Sequence, residues 1–230
     1  TRSIAVTGVQ TCALPICGPD GVPDGVIDDY DKTNIGSPMP KFTFGWTNTF
    51  RYKNFDLSVF INGSYGNKVY NYLSMKLTHM NSPWTNQLNA VNGRAQLVPI
   101  NPNKVYEDGT MWYNDVSNVM VANPGASIPR ATINDPNDND RISDRYIEDG
   151  SYIRLKNISL GYTFPKKTID KLGLSNLRIY ANIQNLLTIT GYDGYDPEIG
   201  ASTSSVNVYG LDNGRYPSPT VYSFGLNVSF

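Results

Sequence analysis

Hydrophobic and polar residues alternate with a period of two in five separate stretches of this chain. The last, Thr220–Phe230, puts Thr220, Tyr222, Phe224, Leu226, Val228 and Phe230 on one face and Val221, Ser223, Gly225, Asn227 and Ser229 on the other. Successive side chains of a strand point to opposite faces, so this pattern marks a strand with one apolar and one polar environment. Phe42–Tyr52 alternates in the same way, with Phe42, Phe44, Trp46, Phe50 and Tyr52 opposite Thr43, Gly45, Thr47, Thr49 and Arg51. Lys53-Asn54 predicts a tight turn, after which Phe55, Leu57, Val59, Ile61 and Tyr65 oppose Asp56, Ser58, Asn62 and Ser64, making a hairpin. Segment 152–164, YIRLKNISLGYTF, predicts a third long strand, clearest at Ile158, Leu160, Tyr162 and Phe164. Segment 177–190 predicts a fourth, with Leu177, Ile179, Ala181 and Ile183 opposite Arg178, Tyr180, Asn182 and Gln184. The expected fold is all-β, with about five antiparallel strands.

The connections carry the next signal. Residues 18–40 are rich in Gly, Pro and Asp and read as a loop. Residues 67–150 contain a weak helical spacing in VYNYLSMKLTHM but are otherwise polar and broken by Pro and Gly. Residues 165–176 are a short connection with a possible helical turn, and 191–219 form another long loop. A structureless loop as long as 67–150 is improbable inside a compact soluble domain. Short turns at one end of the strands and long loops at the other are the asymmetry of an outer-membrane β-barrel, and they put the short turns on the periplasmic side. Leu57, Val59, Ile61, Ile179, Ile183, Leu226 and Val228 are then expected to face lipid. Asn62, Ser64, Asn182, Gln184 and Asn227 are expected to face the lumen. Phe42, Trp46, Tyr52, Tyr65, Tyr162, Phe164, Tyr222 and Phe230 read as barrel exterior and interfacial girdle. Five strands cannot close a barrel by themselves, so the expectation is the last part of a larger one.

Composition fits that picture. Charged residues make up 17% of the 230 residues, aromatic residues reach 12% with 16 Tyr, and the net charge is −1. Without a basic excess nothing points to nucleic acid. No apolar run of about 18 residues is present for a transmembrane helix, which says nothing against strands. The two cysteines, Cys12 and Cys17, fall in or beside a foreign-looking stretch. Val6–Ile16 reads VTGVQTCALPI, which matches the translation of a sequencing adapter residue for residue. Residues 1–17 are therefore set apart as adapter-derived, and no thiol framework is argued from them.

Four stretches together resemble the C-terminal portion of the SusC/RagA family of TonB-linked outer-membrane transporters. They are PDGVIDDYDKTNIGSPMPKFTFGWTNTFRYKNFDLSVFINGSYGNKVYN, SYIRLKNISLGYTFP, LRIYANIQNLLTITGYDGYDPEIG and GLDNGRYPSPTVYSFGLNVSF, and the likeness covers residues 18–230. Pro23 departs from the more usual Gly at the start of the first. The resemblance implies a 22-stranded barrel with long extracellular loops, located in the outer membrane. It implies an internal plug and a TonB box that lie outside these residues, coupling to the TonB complex, and a SusD-like surface lipoprotein as lid. It implies energised import of glycans or peptides rather than enzymatic catalysis. Two other readings share the strand pattern: a structural or adhesive outer-membrane barrel, and a secreted carbohydrate-binding β-domain.

Candidate chemistry is sparse. Asp20, Asp24, Asp28 and Asp31 fit positions of a calcium loop, with Gly25 at the sharp turn and Val22 where an Asp or Asn is usual. The alternative is a solvated acidic turn. A structural Ca2+ in an outer loop is the one cofactor considered. His79, the single histidine, has no partner at a recognisable sequence spacing and reads as a loop residue. Asp135, Asp138, Asp140 and Asp144 read as a hydrated acidic loop. Trp84, Trp112, Tyr113, Tyr192, Tyr195 and Tyr209 lie in the outer loops, where rigid aromatic faces suit contact with substrate or lid.

Overall fold

The computed structural model describes residues 7–9, 29–133, 135, 138–199 and 209–230. These fall into two compact units, one built on Asn34–Asn71 and Ile147–Phe230, the other on Tyr72–Tyr146. Of the adapter-like stretch, β1 (Thr7–Val9) is described; it pairs with β2 (Lys32–Asn34) in a two-stranded ribbon.

The first unit is dominated by one antiparallel sheet of five long strands. In chain order these are β3 (Phe42–Tyr52), β4 (Phe55–Tyr65), β9 (Tyr152–Thr163), β10 (Asn176–Thr190) and β12 (Val221–Ser229). Their order across the sheet is β12-β10-β9-β4-β3, so each long strand after β3 pairs with the long strand that precedes it in the chain. A smaller sheet of β5 (Lys68–Asn71), β8 (Ile147–Asp149) and β11 (Leu211–Asp212) sits where the long connections leave the strands. The second unit holds α1 (Tyr72–Thr78) and the short antiparallel pair β6 (Leu97–Pro99) and β7 (Val119–Val121). The 67–150 segment thus carries more regular structure than its polar sequence suggests, in pieces of three to seven residues.

Register puts the apolar residues of neighbouring strands side by side. Phe50, Leu57, Leu160, Ala181 and Phe224 lie opposite one another in sequence across the sheet, as do Val59, Ile158, Ile183 and Tyr222. The face is not covered by protein: Phe50, Leu160, Ile179, Phe224 and Leu226 are all exposed. Asn48 interrupts it, opposite Val59. Aromatic rings gather at both ends. Phe55 packs on Tyr162 at 4.7 Å and Tyr162 on Phe164 at 5.0 Å near the short turn, while Phe42 meets Tyr65 at 5.3 Å at the far end. Aliphatic residues fill the middle of β4, β9 and β10, while β3 and β12 carry Trp46, Phe50, Tyr222 and Phe224 on the same face; an apolar face with rings at its ends is the arrangement of a barrel wall in a bilayer. An 11-residue strand is about 37 Å long, enough when tilted to cross an apolar band of about 25 Å.

The opposite face is polar. Arg178 on β10 reaches across β9 to Asp56 on β4, with Nη2 donating to Oδ2 at 2.6 Å. The pair passes over Gly161. A Cβ there would lie 2.3 Å from the Arg178 guanidinium and 2.6 Å from the Asp56 carboxylate, so the ion pair requires glycine. Gly225 lies beneath the Tyr180 ring in the same way, a large side chain covering the gap a glycine leaves.

The alternation slips once, and the slip has consequences. Between two matched rows of outward residues, β4 advances two positions (Val59 to Ile61), β9 three (Ile158 to Leu155) and β10 four (Ile183 to Leu187). Each strand bulges by one residue more than its neighbour, and Asn185 takes a left-handed φ of 52° within the widest bulge. The phase change turns Leu155 and Ile153 outward. It also moves Arg154, which strict alternation from Ile158 would aim at lipid, to the polar face opposite Asn62 and Thr188. This explains why YIRLKN looked less regular than ISLGYTF.

The short-turn end is closed by the Lys53-Asn54 turn, with Lys53 at φ 54°, and by α2 (Lys166–Ile169) ahead of β10. Ser175 N–H donates to Ser229 O there.

The face assignment is open to direct measurement. In the full-length barrel an arginine at mid-depth on the lipid face costs roughly 2–4 kcal/mol, and much less toward the lumen. Leu226→Arg should therefore sharply lower the folded, heat-modifiable fraction in outer-membrane gels, and Asn227→Arg should not; equal yields would mean that the two faces are misassigned.

Candidate functional site

In the first unit, the phase-shifted Arg154 is the hub of the polar face. Its Nε donates to Thr188 Oγ1 at 2.8 Å, and its Nη groups donate to Glu198 Oε2 at 2.6 Å and Asp196 Oδ1 at 2.5 Å. Lys156 Nζ adds a contact of 2.7 Å to Glu198. The side chains of Arg154 and Asp196 are 3% and 2% exposed. Asp196 also accepts from the backbone N–H groups of Glu198 and Ser218. Burial raises the Asp196 carboxyl, but the Arg154 guanidinium and these amides outweigh it and hold the pKa at about 2.

A second anchor lies alongside. Tyr192 OH donates to Asp212 Oδ2 at 2.6 Å, and Asp212 Oδ1 accepts from the N–H groups of Gly214 and Arg215. Burial, and then the Asp212 carboxylate, push the Tyr192 phenol well above its ordinary range. Asp193 N–H donates to Glu148, whose other oxygen accepts from Asn71. The loop after β10 is thus pinned to the sheet by charged hydrogen bonds. None of Arg154, Asp196, Glu198 and Asp212 was singled out by sequence reasoning, because they gain partners across 42 or more residues in the first pair and through the smaller sheet in the last. An arginine that breaks strand alternation was the available signal.

In the second unit, His79 lies just past α1 and is not an isolated loop residue. Its Nε2 is 3.0 Å from Asp135 Oδ2, and its Nδ1 is 3.9 Å from Asp140 Oδ2. Asp135 accepts as well from Asn139 N–H and from Asn139 Nδ2 at 2.6 Å. Burial raises the Asp135 carboxyl, but the Asn139 donors and His79 hold it below its ordinary value. His79 does lie in a loop, but it has partners that no sequence spacing marked; the reading of Asp135 as hydrated is corrected, since its side chain is 9% exposed. The chain returns to α1 after 56 residues, a closure that no local spacing reveals. His79, Asp135 and Asp140 are close enough together to hold a cation. Asp135, however, is already engaged by three donors, so the cluster as it stands is a hydrogen-bonded clasp. Nearby, Lys104 Nζ and Tyr106 OH converge on Asp115 Oδ2 at 2.6 and 2.8 Å. Lys104, then Ser117 and Tyr106, hold the Asp115 carboxyl well below the usual range.

The sequence-predicted contact residues are dispersed. Trp84 is 93% exposed, and Tyr113, Tyr195 and Tyr209 are exposed. Trp112 packs edge-on against Tyr113 at 5.7 Å. Tyr192 is buried in the anchor described above. Of the calcium-loop candidates, Asp20, Asp24 and Asp28 lie outside the described residues, and Asp31 ends a short 3-10 turn, Asp29–Asp31.

Comparison with known proteins finds clear relatives over most of the chain. The chain is 35% identical over 212 residues to TonB-dependent receptor P3 of Formosa agariphila, covering 90% of this chain and 18% of that protein. It is homologous to a segment of the TonB-dependent receptors. It is also 29% identical to TonB-dependent receptor SusC of Bacteroides thetaiotaomicron over 90% of this chain and 17% of that one. Among solved structures it resembles the RagAB peptide importer in its closed-closed state, with TM-score 0.64, 20% identity and coverage of 97% of this chain and 21% of that one. The open-open state gives a TM-score of 0.62 at 19% identity. At that identity the likeness shows the fold alone, an antiparallel β-barrel. No protein-family model matches the chain. The chain spans about a fifth of the length of the relatives it matches.

The Arg154–Asp196 anchor is sensitive to acid. The Asp196 pKa is lowered from 3.8 to about 2, so its contribution is complete above about pH 4 and lost as pH falls toward 2. Hydrogen exchange in residues 209–219 should accelerate across that window in the folded barrel, and Asp196→Asn should abolish the step. Arg154→Met, which leaves buried carboxylates without their cation, should destabilise the loop at neutral pH by about 3 kcal/mol or more. Unchanged exchange in both variants would remove the anchor's role.

Proposed function

We propose that this chain supplies adjacent wall strands and outer loops of a TonB-dependent outer-membrane transporter, which imports glycans or peptides with a SusD-like lipoprotein and draws on the TonB complex. The observation that carries the reading is the two-faced sheet: apolar and aromatic-ended on one side, ion-paired on the other, in a chain homologous to TonB-dependent receptors over 90% of its length. A soluble sandwich would bury that apolar face; here Phe224 is 83% exposed. The likeness in fold to the RagAB peptide importer supports import of a peptide-sized cargo; the glycan cargo and the lipoprotein lid follow from the sequence resemblance. The role is passage rather than catalysis, and the exposed rings of Trp84, Tyr113, Tyr195 and Tyr209 are the surfaces offered to cargo or lid. The Asp20–Asp31 carboxylates remain a candidate Ca2+ set beside the alternative of a solvated acidic turn.

The test uses the full-length protein in its native membrane. It should require detergent for extraction, show heat-modifiable mobility, and co-purify a surface lipoprotein. Deleting Tyr222–Phe230 should abolish insertion, because β10 would then expose an unpaired edge in lipid. Deleting residues 134–140 should leave insertion intact and weaken cargo or lid binding. Recovery in the aqueous phase, or a normally folded barrel after the first deletion, would overturn the reading. A barrel that folds normally but binds neither lipoprotein nor cargo would favour the structural or adhesive alternative.

A further inference from the structure

The second unit contains a cleft of about 540 Å3 whose lining includes Arg94, Gln96, Leu97, Tyr113 and Arg130 and no carboxylate. Five other described arginines are committed: Arg154 to Asp196 and Glu198, Arg178 to Asp56, Arg141 to Asp138, Arg215 to Glu198 O and Arg145 to Ser127 O; Arg51 lies on β3 and does not line the cleft. Arg94 has a single long contact, Nη1 to Val91 O at 3.4 Å, and Arg130 has no ion pair or side-chain hydrogen bond among the described residues. Both are half-buried. Two guanidiniums, each with five donors, lining one cleft without a counter-charge are poised for an anion.

The Arg94 backbone is fixed. Arg94 bridges Ile128 in parallel, Ala95 N–H donates to Ile128 O at 2.8 Å, and Asn123 Nδ2 donates to Arg94 O at 2.9 Å. The same bonds decide what kind of ligand fits. Gln96 N–H is taken by Asn123 Oδ1 and Gln96 O by Ala122 N–H. The backbone along this side of the cleft is therefore already paired and offers no edge for an added peptide strand. What remains is side-chain chemistry: two guanidiniums, one amide, and the Tyr113 ring braced by Trp112. A flat ring for a pyranose face, an amide for hydroxyls and two cations for an acid group describe a sugar that carries a charge.

We propose that this cleft is a subsite for the carboxylate or sulfate group of an acidic saccharide, with Arg94 and Arg130 as its anion ligands. The proposal rests on the import reading, to which it adds a cargo class.

Calorimetric titration of the detergent-purified full-length protein tests it with four probes: oligogalacturonate, a sulfated galactan oligomer, a neutral galactan oligomer and oligoglutamate. At least one acidic saccharide should bind, more weakly as salt rises, and which one binds separates carboxylate from sulfate. Arg94→Ala/Arg130→Ala should weaken that binding by about tenfold or more, as expected for losing two charge-assisted contacts. The neutral oligomer and oligoglutamate should bind about tenfold more weakly than the acidic saccharide. The subsite is overturned if neither acidic saccharide binds, if the double variant binds as the parent does, or if the neutral oligomer binds equally. Equal binding of oligoglutamate would reassign the cleft to acidic peptides and overturn the saccharide. Heat-modifiable mobility, measured on the same samples, reports the barrel independently: its loss in the parent protein would count against the import reading, and its retention in the variant excludes misfolding as the cause of lost binding.

Discussion

Backbone amides and carbonyls have no water to bond with in hydrocarbon, and each one left unpaired costs several kcal/mol. That constraint organises the larger sheet. Every long strand after β3 pairs along nearly its whole length with the long strand before it. With the backbone satisfied by neighbours, one face is free to be merely apolar and the other free to carry charge. Asp56 and Arg178 can meet across an intervening strand because that strand yields a glycine at the crossing.

The bulges reconcile two demands on the same strands. The wall needs apolar side chains outward along its full height, and the long loop after β10 needs a charged anchor inward near its base. A strict period of two cannot serve both in YIRLKNISLGYTF. One extra residue in β9 relative to β4, and another in β10 relative to β9, resets the phase. Ile153 and Leu155 stay outward and Arg154 turns inward to Asp196 and Glu198. The cost is a few locally disrupted ladder bonds and a left-handed Asn185, offset in part by its bonds to Pro219 O and from Thr220.

The loops follow a different logic from the wall. Their elements are too short to be stable by propensity, and their order comes from polar clasps such as His79–Asp135–Asn139 and Lys104–Asp115–Tyr106. Side-chain clasps leave the loop surface free to vary while its course is held. The arginines at the Arg94/Arg130 cleft stand out against this background because they are not used as clasps.

Alternation alone was enough to locate the strands, sort Leu57, Ile179, Leu226 and their neighbours onto one apolar face, and separate short turns from long loops. Those properties depend on side-chain period and chain length, which are local. It could not tell that His79 has Asp135 as a partner, that Tyr192 is buried on Asp212 rather than offered to a ligand, or that Arg154 faces inward. Each of these depends on a contact closed over tens of residues or on a bulge whose register is set by the neighbouring strand. Period two is a property of one strand. Which strand lies beside it, and how far the two have slipped, is decided by the folded sheet.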